Sequence, residues 1–135
     1  MARARIGDDE GRAAVAAWRA ASGGAVGDDR SAESAPPPVD RATLALAVRY
    51  SLQLLAERAP GGTLEVRVPP FAAVQCVEGP KHTRGTPPNV IETDAATWLS
   101  LATGAVSWAD AREAGRVHAS GQRADLEGLL PVLRG

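Results

Sequence analysis

Residues 93–133, TDAATWLSLATGAVSWADAREAGRVHASGQRADLEGLLPVL, put helix starts, helix stops and a strand in such close succession that few chain paths satisfy them all. Thr93 or Asp94 is placed to cap a helix carrying Trp98, Leu99 and Leu101, with Gly104 at its exit. Ser107 opens Ser-Trp-Ala-Asp, a capping box with Asp110 where Glu is usual. That second helix stops at Gly115, behind the positive charge of Arg112. Residues 116–120 alternate, with Val117 and Ala119 on one face and Arg116 and His118 on the other, which predicts a strand. From Gln122 onward, Leu126, Leu129, Leu130 and Leu133 form a stripe at helical spacing, which predicts a closing amphipathic helix. Each piece has one face to bury, so together they form a packed layer.

The preceding chain divides by composition into residues 1–22, an N-terminal helix, residues 23–39, a Gly/Pro-rich linker ending in Pro36-Pro37-Pro38, and residues 40–135, a folded domain. In the first, Asp8, Asp9 and Glu10 favour a helix start, and Val15 and Trp18 give a narrow apolar edge that suits either docking on the domain or contact with a partner. Residues 40–58 form the most informative helix. Leu44, Ala47, Val48, Leu52 and Leu55 make a core stripe, and Leu46, Tyr50 and Leu54 widen it to an arc of roughly 240°. Two readings fit so wide an arc: burial against both a sheet and a second helix, or the wall of a cavity for an apolar ligand. Pro60-Gly61-Gly62 then turns the chain, and residues 64–68 alternate as a half-exposed strand ended by Pro69-Pro70. Residues 72–78 and 90–93 supply two more strands. The fold class is α/β (α+β), with a mostly antiparallel twisted sheet of four or five strands. Helices cover one face of that sheet, among them residues 40–58 and the closing helix.

These residues also carry a family likeness. The run Asp94-x-x-x-Trp98-Leu99, Gly104, a short helix to Gly115, a strand into Gly121 and a Leu-rich end resembles the C-terminal half of sterol carrier proteins. Val68-Pro69-Pro70-Phe71 and residues 78–94, EGPKHTRGTPPNVIETD, resemble the bacterial branch of that family, and the likeness reaches back to about residue 40. It implies a sterol-carrier-like fold and non-catalytic binding or carriage of a lipid or other hydrophobic small molecule, in a cavity between sheet and helices. Pattern and general family geometry together nominate Leu46, Tyr50, Leu54, Phe71, Trp98, Leu101, Trp108, Leu126 and Leu130 as apolar lining. Trp98 and Trp108 read equally as core. The fold also occurs as the C-terminal part of some bacterial thiol-dependent isomerases. That leaves open a role as an accessory subunit with an enzyme partner, or as an interaction module that forms a homodimer. The ending Leu133-Arg134-Gly135 differs from the peroxisomal address of eukaryotic relatives, so the likeness implies no organelle.

Chemistry is sparse. Lys81, His82 and Arg84 crowd one loop between Pro80 and Pro87-Pro88. They read either as a solvated hairpin loop or as a holder for the polar head of an amphipathic ligand. His118 reads as solvent-exposed, and the lone Cys76, among Ala73, Val74 and Val77, as a small buried hydrophobe. Neither paired cysteines, His-x-x-x-His nor Gly-x-Ser-x-Gly occurs, so no catalytic residue, metal or cofactor is expected. A net charge of −1 and 4% aromatic residues argue against a nucleic-acid partner. One cysteine, no apolar signal core behind the basic start and no run long enough to span a bilayer fit a cytoplasmic location.

Overall fold

The computed structural model describes residues 4–22, 39–79 and 89–133. Among them the chain forms α1 (Asp8–Ala21), α2 (Arg41–Arg58), β1 (Leu64–Val68), β2 (Ala72–Cys76), β3 (Asn89–Thr93), α3 (Ala95–Thr103), α4 (Trp108–Glu113) and β4 (Val117–Ser120). Two of the expected caps are present. The Asp94 carboxylate accepts from the Thr97 N–H at 2.7 Å and the Ser107 hydroxyl from the Asp110 N–H at 3.0 Å, each satisfying a donor of a first turn. Of the two cap candidates at the start of α3, Asp94 takes the role and Thr93 is the last residue of β3. Gly104 leaves α3 at φ 84°, a left-handed exit that suits glycine.

The described residues form one four-stranded sheet in the order β2-β1-β3-β4, antiparallel at both edges and parallel between β1 and β3. The register sets Val66 beside Val74 and Ile91, with Ile91 beside Ala119, so one face is apolar. Leu64, Val66, Val68, Cys76 and Ile91 on that face are fully buried. The other face carries Glu65, Arg67, Glu92 and His118, with Glu65 and Arg67 paired at 3.0 Å and His118 exposed. This is the period-2 pattern of a sheet covered on one side. Strand β2 stops at Cys76, short of residue 78. Val77 turns to φ 71°, outside the β region, and its N–H and C=O go to Ala59 and Thr63 instead of a ladder.

Helix α2 packs on β2, α3 and α1, which accounts for its wide apolar arc. Leu52, Leu55 and Trp98 are fully buried in the same core as Leu64, Val66 and Ile91. A polar link across the α2–α3 contact is buried and satisfied: Trp98 Nε1 donates to Ser51 Oγ at 2.8 Å, and that hydroxyl donates back to the Ala47 carbonyl at 2.8 Å.

The closing helix expected over 122–133 does not form. Gly128 sits at φ 85°, Leu130 precedes a proline and Pro131 has no N–H, so the leucine spacing cannot be continued as helix. Isolated turns form instead, one with the Ala124 N–H on the Gly121 carbonyl and one with the Leu129 N–H on the Leu126 carbonyl. The segment then continues without helix or strand and bends at Val132 and Leu133, whose N–H groups both donate to the Ala102 carbonyl, at 2.9 and 3.0 Å. The leucines still face inward, with Leu126 buried and Leu129, Leu130 and Leu133 half-buried.

Candidate functional site

One face of α2, formed by Tyr50, Gln53, Leu54 and Glu57 at helical spacing, receives α1. Gly11 makes the close approach. A Cβ there would lie closer than 3.0 Å to three atoms of the Tyr50 ring, so the bare glycine backbone rests against that ring. The Tyr50 hydroxyl donates to Asp8 Oδ1 at 2.7 Å. The Gln53 amide clasps Ile6, accepting from its N–H and donating to its carbonyl, both at 2.9 Å. Arg5 forks onto Glu57, with Nε to Oε2 at 2.6 Å and Nη2 to Oε1 at 3.0 Å. Gly11, Ala14 and Val15 are buried by this docking, and Trp18 is half-buried against the core.

Docking leaves an open cleft of about 880 Å³ between α1, α2, the end of α3 and the terminal segment. Its apolar lining comes from Val15, Ala16, Ala20, Leu54, Val132 and Leu133. Arg5, Arg12, Arg19, Asp8, Tyr50 and Thr103 supply the polar part. Asp8 is the single carboxylate in the lining. The Tyr50 hydrogen bond and then Arg5 hold its carboxyl below the usual range, while burial and then Asp8 push the Tyr50 hydroxyl up. Glu57 is likewise held down by Arg5, so both carboxylates beside Arg5 are ionised at neutral pH. A smaller cleft of about 230 Å³ opens on the other side of the terminal segment, lined by Leu101, Gly104, Val106, Trp108, Leu126, Leu130 and Pro131 among others.

The residues nominated from sequence are distributed between these places. Tyr50 and Leu54 line the larger cleft, and Leu101, Trp108, Leu126 and Leu130 the smaller one. Leu46 is half-buried against the core and lines neither; nor do the buried Trp98 and the half-buried Phe71, whose ring lies 5.1 Å beneath Arg41. Lys81, His82 and Arg84 lie outside the described residues. Neither cleft is lined by a strand residue. Arg5, Arg12 and Arg19 escaped the sequence reading, although their recurrence at every seventh position marks one helix face. Among the described residues no group of three or more His, Cys, Asp or Glu is gathered so as to hold a metal ion. No helix among them is long and apolar enough to cross a membrane.

With this geometry in place, comparison with protein families is informative: residues 40–132 match the family described as bacterial SCP ortholog. The chain belongs to that family. The match runs from the cap of α2 through all four strands to the terminal segment, so it spans the sheet and the smaller cleft. Bacterial SCP orthologs are sterol-carrier-type domains, and membership gives this chain a lipid-binding carrier character at a coarse level. Helix α1 lies outside the matched residues, yet it supplies one wall of the larger cleft. No curated protein was found to match the chain.

Proposed function

We propose that this bacterial SCP ortholog binds a lipid or another hydrophobic small molecule without transforming it, and that the helix-lined clefts receive the apolar part. The observation that carries this reading is the lining of the larger cleft. Val15, Ala16, Ala20, Leu54, Val132 and Leu133 present an apolar wall in an open space of about 880 Å³, within the usual size of small-molecule pockets. Family membership supports the ligand class. The terminal segment supports the reading as well, since this non-helical run lines a cleft on each of its sides.

The test is extraction of the protein purified without detergent, followed by mass spectrometry of the organic phase. A discrete hydrophobic compound near one per chain is expected. Substituting Leu54 by Arg puts a charge into the apolar wall and is expected to abolish co-purification while circular dichroism stays unchanged. Clean extracts, together with failure to bind any added lipid, would remove the reading.

A further inference from the structure

The larger cleft carries charge as well as grease, and the charge is one-sided. Three arginines of α1 and its lead-in face it against the single carboxylate of Asp8. Arg5 and Asp8 are already committed, Arg5 to Glu57 and Asp8, and Asp8 to Arg5 and Tyr50. Neither Arg12 nor Arg19 forms an ion pair within 4 Å among the described residues, although Arg12 also reaches the Tyr50 hydroxyl and feels the Asp8 charge. Arg19 makes only a long contact, 3.4 Å, from Nη2 to the Thr103 carbonyl. The two lie two helical turns apart on one face of α1, about 10 Å along its axis, a gap their flexible stems can close around a single head group. Beneath them the lining is apolar.

We infer that the Arg12–Arg19 face of α1 is an anion-binding site for the acidic head of a single-chain amphiphile whose tail lies on Leu54, Val132 and Leu133. This inference rests on the lipid-binding reading and adds the head-group class and the element that reads it, which stands outside the family-matched residues. A planar guanidinium pairs with a carboxylate or a phosphate through charge-assisted hydrogen bonds, and either chemistry fits two arginines of which neither is locked in a salt bridge among the described residues. An uncharged head gains nothing from them.

The experiment titrates the full chain with hexadecanoic acid, hexadecyl phosphate and methyl hexadecanoate, following displacement of a hydrophobic fluorescent probe. The acid, the phosphate or both are expected to bind at least about tenfold more tightly than the ester, and to lose that advantage in high salt. The two charged arms separate a carboxylate head from a phosphoryl head. A double Arg12→Gln, Arg19→Gln variant is expected to bind the charged ligands no better than the ester. The corresponding double lysine variant keeps a measurable preference. Equal affinity for acid, phosphate and ester on the native chain would overturn the inference and leave lipid binding standing. An undiminished preference in the glutamine variant would also overturn it. Failure of all three ligands would remove both readings. So would sedimentation as a dimer that excludes the probe, since a second copy would then cover the cleft.

Discussion

Replacing Gly11 by Ala sets two effects of opposite sign against each other, and the structure decides which wins. In an isolated helix, alanine is better than glycine by about 1 kcal/mol, because glycine loses more backbone freedom on folding. In the docked helix the added methyl falls closer than 3.0 Å to three atoms of the Tyr50 ring, where ordinary contact begins at 3.4 Å. That ring is buried and its hydroxyl is tied to Asp8, so moving it aside would break that bond. Helix α1 therefore has to back off α2 by roughly an ångström, and overpacking of this kind costs about 1–3 kcal/mol. The same displacement stretches the 2.7 Å bond between Tyr50 and Asp8 and loosens the cover over Val15, so it adds to the loss. The expected outcome is a net destabilisation of about 1–2 kcal/mol, read by urea unfolding of tryptophan fluorescence, with Trp18 reporting α1 directly. In a Tyr50→Leu background the smaller side chain frees the space, and Gly11→Ala is expected to become neutral or stabilising, a coupling that a double-mutant cycle isolates. A native-background variant more stable by the full propensity gain would refute the docked arrangement.

Two further perturbations probe the core on the other side of α2. Ser51→Ala leaves the Trp98 N–H buried without an acceptor and is expected to cost about 1–3 kcal/mol in urea unfolding, whereas an unchanged midpoint would mean that this N–H finds another partner. Burial pushes the Cys76 thiol up to about 11 from 9.0. The folded state thus prefers the neutral thiol. The resulting stability is fully present below pH 9.0, where both states are protonated, and is lost as pH rises through about 11. Unfolding free energies between pH 8 and 11 are expected to fall, and Cys76→Ala to flatten part of that slope. Tyr50, whose hydroxyl is raised by burial and by Asp8, keeps the remainder. Rapid labelling of the native thiol at neutral pH would contradict this account.

Local signals were legible in the sequence wherever a short run decides the structure by itself. Asp94, Ser107 and Gly104 bound α3 and α4 as their side chains and backbone freedom require, and the alternation of residues 64–68 became β1. The wide arc of α2 was legible as excess apolar surface, but periodicity alone could not tell a second helix from a ligand. The answer depends on Gly11, Gln53 and Glu57 meeting partners 39, 47 and 52 residues away in sequence, which spacing within α2 does not encode. Residues 122–133 misled for the opposite reason. Their leucines keep helical spacing, but Gly128 and Pro131 dictate the backbone, and backbone constraints outrank side-chain pattern when the two conflict. The larger cleft stayed hidden because it exists only between elements distant in sequence. Of its lining, Tyr50 and Leu54 were legible as surplus apolar surface on α2, and the arginine recurrence was there to be read beside them.

The run from Leu130 to Leu133 is a partition with a chamber on either side. Leu130 and Pro131 face the smaller cleft, Val132 and Leu133 the larger, and the whole is moored by two amides on Ala102 and by Arg58 on the Pro131 carbonyl. Because one run of four residues walls both chambers, a substitution there alters one or the other according to the side that the replaced residue faces.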